Sequence, residues 1–438
     1  MSTFIMEWRS QFGGYSRNIK LFFVFNLLWN IGLGMYSLIY NLYVKALGHA
    51  PTMVGDIVGA TALASALVFI PAGVAGDRYG PKRMISIGTA AVIVVLAARA
   101  WADGSGSLTT LAFVSGIAQA IVASTILPFM ANNSTPRERI HLFSFNMALV
   151  MGANVAGNLG GGFISDLLQS QFGLSAVSSL RATLLVGVAI AAAGLYPVLK
   201  FRNEPLASMG EPTFEENLNR AELKQAGWRG KFNKHRSSYA AIGVFTLLSL
   251  LSSMAGGMVV PYLNVYFEDR FHASNSSIGI VVALGQGATA IAFLLGPAIA
   301  RRMGEVRAVV WLQLSSIPFL VLTAFTHQFW LASVGYLFRQ ALMNAANPFY
   351  STIKMKYVHR SLRGLAASSG EAMFNLGWFI AAPISTGLVA AYGAYRGYAS
   401  AFSITAIIYT IIALLFGFFF AKNRFKPMEE ETEEVKCR

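Results

Sequence analysis

Charged residues are scarce in this sequence. Only 12% of its 438 residues are Asp, Glu, Lys or Arg, whereas 55% are hydrophobic. A water-soluble protein carries roughly 25% charged residues, so this chain has too little polar surface for water and is expected to lie in lipid. The net charge of +14 does not indicate nucleic-acid binding, because the basic residues are scattered between apolar segments and form no basic face with stacking aromatics.

Cysteine and motifs of catalytic residues are also lacking. The one cysteine, Cys437, excludes an intrachain disulfide and a cysteine metal cluster. All six histidines fall in or beside predicted loops, so a buried histidine proton relay is not expected. The sequence holds no catalytic triad, no metal-ligand spacing and no phosphate loop. We therefore expect neither an enzyme nor a cofactor.

Long apolar runs are abundant. A membrane-spanning helix needs about 20 apolar residues. We predict twelve such segments, at 18–46, 52–76, 83–101, 108–131, 141–168, 177–200, 239–267, 277–300, 306–326, 329–353, 366–391 and 397–421. The first is longer than the core of a cleaved signal peptide, roughly 7–15 residues, and is expected to remain as a span. Since lipid cannot hydrogen-bond a backbone and the runs are too long for barrel strands, the predicted fold class is an all-α integral membrane protein.

The longest polar connection divides the spans into two groups of six. We predict an N-terminal six-helix bundle at 1–200, a linker at 201–238, a C-terminal six-helix bundle at 239–421 and an acidic tail at 422–438. Most of the 34 lysines and arginines fall on one side of the membrane, so both termini are expected in the cytoplasm. The linker is either a flexible tether or, in part (214–225), an amphipathic helix on the membrane surface.

The two halves share short sequence features in the same order. GVAGDRYGPKR at 73–83 and PAIARRMGEVR at 297–307 each end one apolar segment and precede another. Asn41-Leu42-Tyr43 recurs as Asn264-Val265-Tyr266, and the same offset separates Gly34 from Gly257. A membrane protein doubled in this way is most simply a two-bundle transporter with its site between the halves.

With these features the chain resembles the major facilitator superfamily over essentially its whole length. The family's loop between spans 2 and 3 follows the pattern G-x-L-a-D-R-x-G-r-k, with Ala75 here in place of Leu and Pro81 in place of a basic residue. The resemblance implies two pseudo-symmetric six-helix bundles and a gating role for Gly73, Asp77, Arg78, Gly80, Lys82 and Arg83. In the family, the acid corresponding to Asp77 latches the cytoplasmic side shut. The alternative is a turn that only sets topology; in the second copy Arg301 replaces the acid.

Two weaker motif matches concern export. Residues 157–161 (GNLGG) in span 5 resemble the G-P-x-x-G-G of efflux members, with Asn158 in place of Pro. In span 4 the family's proton-coupled exporters carry R-x-x-Q-G. Here Gln119 matches the glutamine, but Gly116 stands where the arginine would be. These departures argue against proton coupling by the family's usual route.

Polar residues within the spans predict a central binding site. A polar side chain in lipid costs free energy, so it faces a cavity or another helix. The candidate substrate-binding residues are Asn30, Tyr36, Tyr40, Asn41, Gln119, Tyr262, Asn264, Tyr266, Gln286, Arg339, Asn344, Asn375 and Trp378. For any single Asn the alternative is an interhelical hydrogen bond.

Two charged residues within spans have alternative roles. Arg339, in the middle of span 10, indicates an anionic or polar substrate group, or a structural pair with an acid. Glu371 is the candidate proton-coupling residue, because burial favours a neutral carboxyl group. Its alternative role is pairing with basic residues such as Arg363 or Lys356.

The predicted function is secondary active transport by alternating access. Export of small amphipathic or drug-like molecules is favoured, with exchange for protons as one version. The alternative is uptake or facilitated diffusion of a small polar or anionic solute, such as a sugar, organic anion or amino acid. The expected partners are a small-molecule substrate, protons and the lipid bilayer of the cell inner membrane, with no nucleic acid. The chain is expected to be a monomer.

Overall fold

The structure is a computed structural model that describes residues 15–202, 236–359 and 362–421. The described part is helical and contains no strand. Its helices are α1 (Arg17–Ala46), α2 (Pro51–Tyr79), α3 (Pro81–Trp101), α4 (Ser105–Asn132), α5 (Pro136–Ser170), α6 (Ala176–Ala193), α7 (Leu195–Leu199), α8 (Arg236–Gly257), α9 (Leu263–Phe271), α10 (Asn275–Met303), α11 (Glu305–Phe325), α12 (Phe329–Ala345), α13 (Asn347–Tyr357) and α14 (Arg363–Phe416). Residues 203–235 of the predicted linker, with its possible helix, and the predicted tail lie outside the described residues.

Ten helical segments within the described ranges are long and apolar enough to cross a membrane. The difference from twelve has two causes. The 54-residue helix α14 joins the predicted spans 366–391 and 397–421 through a kink at Gly393, where φ is +73°. The predicted span 329–353 is divided between α12 and α13, which have 17 and 11 residues and are each too short to be counted as a span.

Proline and glycine set many of the helix boundaries. Pro51, Pro81 and Pro136 each occupy the first turn of a helix, where proline's fixed φ fits and its missing N–H is not needed. Gly80 joins α2 to α3 with φ 87° and ψ 141°, and Gly304 joins α10 to α11 with φ 83° and ψ 151°. Only glycine adopts this backbone readily. The duplicated sequence therefore builds the same turn twice.

A pair of equivalent tyrosines repeats this symmetry. The hydroxyl of Tyr43 donates to the carbonyl oxygen of Ala100 at 2.9 Å, and that of Tyr266 donates to the carbonyl oxygen of Thr323 at 2.5 Å. The same sequence offset separates the two donors and the two acceptors. In each half, the same hydrogen bond thus joins the end of the first membrane span to the end of the third span.

The halves pack against each other through α2 with α14 and α5 with α10. Glycines permit this close approach, because any larger residue would clash. A Cβ added to Gly162 of α5 would lie 2.4 Å from the carbonyl oxygen of Asn275, and a Cβ added to Gly279 of α10 would lie 2.6 Å from the carbonyl oxygen of Asn158. We call the end of the bundle where α1 finishes the Lys45 end, and the opposite end the Gly80 end. These contacts lie toward the Lys45 end. Farther toward the Gly80 end, a Cβ on Gly152 of α5 would meet nothing within 4 Å.

Close packing at Gly162 gives a direct test of this interface. We expect Gly162→Val to lower the free energy of unfolding by about 1–3 kcal/mol, because a core that is already filled must move to admit added atoms. Thermal unfolding of the purified protein would measure the change. Gly152→Val, on the same helix and in open space, is the matched control. Equal losses in the two variants would contradict the tight contact.

Candidate functional site

A cavity of about 620 Å³ lies between the two halves. Helices α1 to α5 line it from one side, and α9, α10, α12, α14, Val260 and Pro261 from the other. The predicted site residues that line it are Asn30, Tyr36, Tyr40, Asn41, Gln119, Asn264, Gln286, Asn375 and Trp378. Nine of the thirteen predicted residues, from separate helices, therefore lie around one cavity.

Four other predicted site residues do not line this cavity. Tyr262 borders a smaller pocket of about 110 Å³ at the Lys45 end. The hydroxyl of Tyr266 is taken by its bond to Thr323, and Asn344 donates to the side chain of Thr289 at 3.2 Å. These contacts lie within the second half of the chain and match the interhelical hydrogen bonding that was the alternative for such residues.

Arg339 is the fourth residue outside the cavity. Its side chain is 3% exposed and turns into the second half, where Nη2 donates to the hydroxyl of Tyr409 at 3.3 Å and Nη1 to the side chain of Gln340 at 3.4 Å. Tyr409, and not an acid, is thus its partner on another helix. The neighbouring Gln340 reaches the cavity in its place.

The charged residue that does line the cavity is Arg99, near the end of α3. It lies near the end of the predicted span 83–101 and was not among the predicted site residues. The rings of Tyr36 and Tyr40 stack at 5.1 Å with an interplanar angle of 16°, and the Arg99 guanidinium carbon lies 4.0 Å from the centre of the Tyr40 ring. Its Nη1 donates to the hydroxyl of Ser115 at 2.9 Å. Tyr36 and Tyr40, four residues apart on α1, could have indicated that a cation packs against their rings. The sequence alone did not show which cation this would be.

Other lining residues missed by the sequence analysis are neutral amides. Asn154 and Asn158 of α5 and Gln340 of α12 join the predicted Asn and Gln residues around the cavity. Two predicted members use their amides locally: Asn30 donates to the backbone oxygen of Asn26 at 2.8 Å and Asn375 to that of Glu371 at 2.9 Å. The lining is thus rich in neutral donors and acceptors, with aromatic and aliphatic surfaces between them.

Two reciprocal hydrogen bonds close the cavity at the Lys45 end. Nδ2 of Asn41 donates to the carbonyl oxygen of Pro261, and Nδ2 of Asn264 donates to that of Leu38, both at 2.6 Å. Donors and acceptors are again related by the offset between the halves. Asn41 and Asn264 were predicted to bind substrate; both line the cavity, while their amide groups join the two halves.

Ionic contacts between the halves add to this closure. Lys45 pairs with Glu268 and, at 2.5 Å, with Asp269, which also accepts from the hydroxyl of Tyr398. On the other flank, Asp166 of α5 accepts from the backbone N–H of Ser276 at 2.7 Å. All of these contacts between the halves lie on the Lys45 side of the cavity.

The predicted gating residues lie at the Gly80 end. Arg78 and Arg83 are exposed, and Lys82 is half-buried at the start of α3. A Cβ on Gly73 would meet nothing within 4 Å. The side chain of Asp77 lies outside the described residues, so the predicted latch remains a prediction.

Glu371 is exposed and lies one helical turn from Asn375, on the Gly80 side of the cavity. Its backbone oxygen accepts from Nδ2 of Asn375 at 2.9 Å, and Lys354 is near enough to attract its carboxylate. Of the suggested partners, Lys356 instead pairs with Glu305 at 2.8 Å, and the side chain of Arg363 lies outside the described part.

Comparison with known proteins decides the family. The model of the Major Facilitator Superfamily matches residues 22–312 and 245–436. The chain belongs to the Major Facilitator Superfamily. The resemblance seen in the sequence is therefore confirmed, and the chain is a membrane transporter and not an enzyme.

Two curated relatives illustrate the range of similarity. An uncharacterized MFS-type transporter, MJ1560, of Methanocaldococcus jannaschii is 21% identical over 408 residues, covering 92% of this chain and 98% of the relative. Multidrug resistance protein MdtG of Salmonella arizonae is 26% identical over 181 residues. That match covers 40% of this chain and 43% of MdtG, so the similarity to MdtG spans less than half of either protein.

Solved structures confirm the all-α membrane fold. The D-xylose-proton symporter superimposes with a TM-score of 0.75 at 14% identity, covering 94% of this chain and 100% of the symporter. A bacterial homologue of the human lysosomal transporter Spinster, inward-facing and occupied, gives 0.74 at 15% identity, covering 93% and 98%. A mutant of nucleoside transporter NupG gives 0.70 at 14% identity, covering 92% and 100%. At these identities the likeness extends to the fold alone.

The ion pair at the Lys45 end can be tested by distance measurement. We expect Lys45→Gln to raise the population opened at that end by a factor of about 1.4 to 5, since a partly exposed ion pair contributes about 0.2–1 kcal/mol. Spin labels at Thr52 and Ala390, in a chain carrying Cys437→Ser, would report the separation of the halves by double electron–electron resonance in bilayers.

The matched control for this experiment is Lys356→Gln. It removes a lysine–carboxylate pair of the same kind that lies within one half and at the opposite end. The control should leave the distance distribution unchanged. A distribution that responds equally to both substitutions would contradict the assigned role of Lys45.

Proposed function

We propose that this chain is a secondary active transporter that exports small amphipathic organic molecules by alternating access. The observation that carries the proposal is the central cavity, which both halves line and which contacts between the halves close at one end. In a two-bundle transporter, rocking of the halves about such a site exposes it to each side of the membrane in turn. The contacts at the Lys45 end are those that must break for the other state to form.

The size and lining of the cavity support a small organic cargo. Its volume of about 620 Å³ lies within the range of about 300–1,000 Å³ typical of small-molecule sites. Tyr36, Tyr40, Phe374 and Trp378 provide aromatic surface, and the Asn and Gln residues provide neutral hydrogen-bonding groups. This combination suits a molecule with an apolar body and a few polar atoms.

The distribution of basic residues supports the orientation. Arg78, Lys82, Arg83, Arg301 and Arg302 lie at the Gly80 end, which we assign to the cytoplasm by the positive-inside rule. Both termini are then cytoplasmic, and the membrane is the cell inner or plasma membrane. In this orientation the closed end faces outward, and the site of the described state would be loaded from the cytoplasm. We further propose that a single chain is sufficient for transport.

Export is supported by the partial similarity to MdtG, which is named as a multidrug resistance protein. Uptake of a small polar or anionic solute is the second candidate. It is favoured by Arg99, whose charge lines the cavity. Direction and cargo therefore need separate measurements.

The loop between α2 and α3 is proposed to close the opposite end in the other state. Gly73 and Gly80 would permit close approach and the turn, while Asp77, Arg78, Lys82 and Arg83 would supply its charged contacts. The presence of Arg301 in the equivalent loop of the second half makes this latch asymmetric. A contact of this kind would break whenever the cavity opens toward the cytoplasm.

Flux into oriented vesicles tests the proposed function. Inside-out vesicles containing the chain should accumulate an amphipathic fluorescent dye from the surrounding medium when energised, because the Gly80 end then faces that medium. Vesicles from cells lacking the chain provide the background. Accumulation in right-side-out vesicles instead would favour uptake, and no flux of any dye or polar solute in either orientation would overturn the transport proposal.

Coupling to protons is tested at Glu371. We expect Glu371→Gln to abolish stimulation of dye flux by a pH gradient while leaving flux down the dye's own gradient, since an amide cannot carry a proton. Glu305→Gln is the matched control, because it removes a carboxylate from the same end that pairs with Lys356 and does not line the cavity. Persistent stimulation in the Glu371 variant would exclude this residue as the proton carrier.

A further inference from the structure

The electrostatics of the cavity identify the charge of its cargo. Arg99 is the only charged side chain among the described residues that line the cavity, and its side chain is 5% exposed. We propose that Arg99 binds the anionic group of an amphipathic organic anion, a carboxylate or sulfonate on an apolar or aromatic body. This inference rests on the proposed transport function and specifies its substrate class.

The surroundings of Arg99 hold its guanidinium in place without neutralising it. Ser115 is an uncharged acceptor, and the Tyr40 ring supplies a cation–π contact at 4.0 Å. Such a contact attracts the guanidinium group but does not neutralise its charge, because the ring carries no net charge. In the described part of the chain, no carboxylate lies within ion-pair distance of Arg99. An anionic ligand would supply the missing counter-charge.

Other cationic side chains at the Lys45 end have different partners from those of Arg99. Arg181 pairs with Asp103 at 2.7 Å, and Lys45 pairs with two acids. Arg270 donates to the carbonyl oxygens of Ala324 and Thr326. Each of these side chains has acceptors supplied by the protein itself. Arg99 differs from all three in its place on the wall of the central cavity, and from Arg181 and Lys45 in its lack of an acidic partner.

Unpartnered polar atoms on the cavity wall support an acceptor-rich ligand. Nε of Arg99, the hydroxyl of Tyr40 and the indole Nε1 of Trp378 are buried and have no hydrogen-bond partner among the described residues. All three groups can donate, and a buried polar group without a partner costs free energy. Carboxylate and sulfonate oxygens accept several hydrogen bonds at once, so an anion that reached these donors would recover part of that cost.

The uncharged residues of the cavity wall indicate the chemistry of the rest of the transported molecule. Leu33, Ile57 and Phe374 present apolar surface, and the amide side chains are neutral. An organic cation would find no described carboxylate on the wall to pair with. A fully polar anion would leave the apolar surface unused. A molecule with one anionic group and an apolar body satisfies both parts.

A pair of isosteric probes tests the inference. Binding of 2-naphthoate and 2-naphthamide is measured with the full chain in phosphatidylcholine nanodiscs, with empty nanodiscs subtracted. We expect the wild type to bind naphthoate about 10- to 100-fold more tightly, because a hydrogen bond to a charged group contributes about 1.5–3 kcal/mol. Arg99→Gln should remove this preference and retain naphthamide binding. Arg99→Lys should keep part of the preference, since it retains the charge but loses the forked geometry.

Arg339→Gln is the matched control, because Arg339 is equally buried, also contacts a tyrosine and does not line the cavity. It should leave the preference for naphthoate intact. The inference is overturned if the wild type shows no preference for naphthoate, if Arg99→Gln weakens both probes equally, as a purely structural role would, or if Arg339→Gln removes the preference. Selective naphthoate binding without vesicle flux would retain the anion site and overturn the transport proposal, whereas equal transport of both probes would overturn the anion site alone.

Discussion

Lipid offers no hydrogen-bond partner to a protein, and this constraint shapes the molecule at every level. The backbone satisfies itself in helices, and polar side chains must find partners in a neighbouring helix or face a cavity. In this chain, some amide side chains bind a neighbouring helix and others face the cavity. Asn344 donates to Thr289 within one half, while Asn375 and Gln286 lie on the wall of the central cavity. Transport requires residues of the second kind, and stability requires those of the first.

The internal duplication extends from sequence to individual bonds. Gly80 and Gly304 adopt nearly the same backbone angles, and Tyr43 and Tyr266 make equivalent hydrogen bonds. The symmetry fails where function is expected to differ. Arg301 replaces Asp77 in the second loop, and Arg99 of the cavity wall has Leu322 as its equivalent in the second half. The two halves therefore share their turns and structural hydrogen bonds but differ in their charged residues.

The sequence was sufficient for the fold and for much of the cavity. Apolar runs of spanning length predicted the helices, and stripes such as Tyr36 and Tyr40 predicted a cavity wall. Arg339 and Arg99 show where such reasoning ends. Both are arginines in apolar helices, and their helical positions made Arg339 look central and Arg99 peripheral. Which of them reaches the cavity depends on how each helix is rotated against its neighbours, and that rotation follows from packing contacts such as those of Arg339 with Tyr409.

The reciprocal bonds of Asn41 and Asn264 have a mechanical consequence. Each asparagine anchors its own half to a backbone oxygen of the other half, three residues before the other asparagine, so the two links run in opposite directions. A rocking motion that separates the halves at the Lys45 end lengthens both links, so neither can act as a pivot for partial separation. The two hydrogen bonds should therefore break together. This geometry should suppress half-opened states, through which solutes could leak.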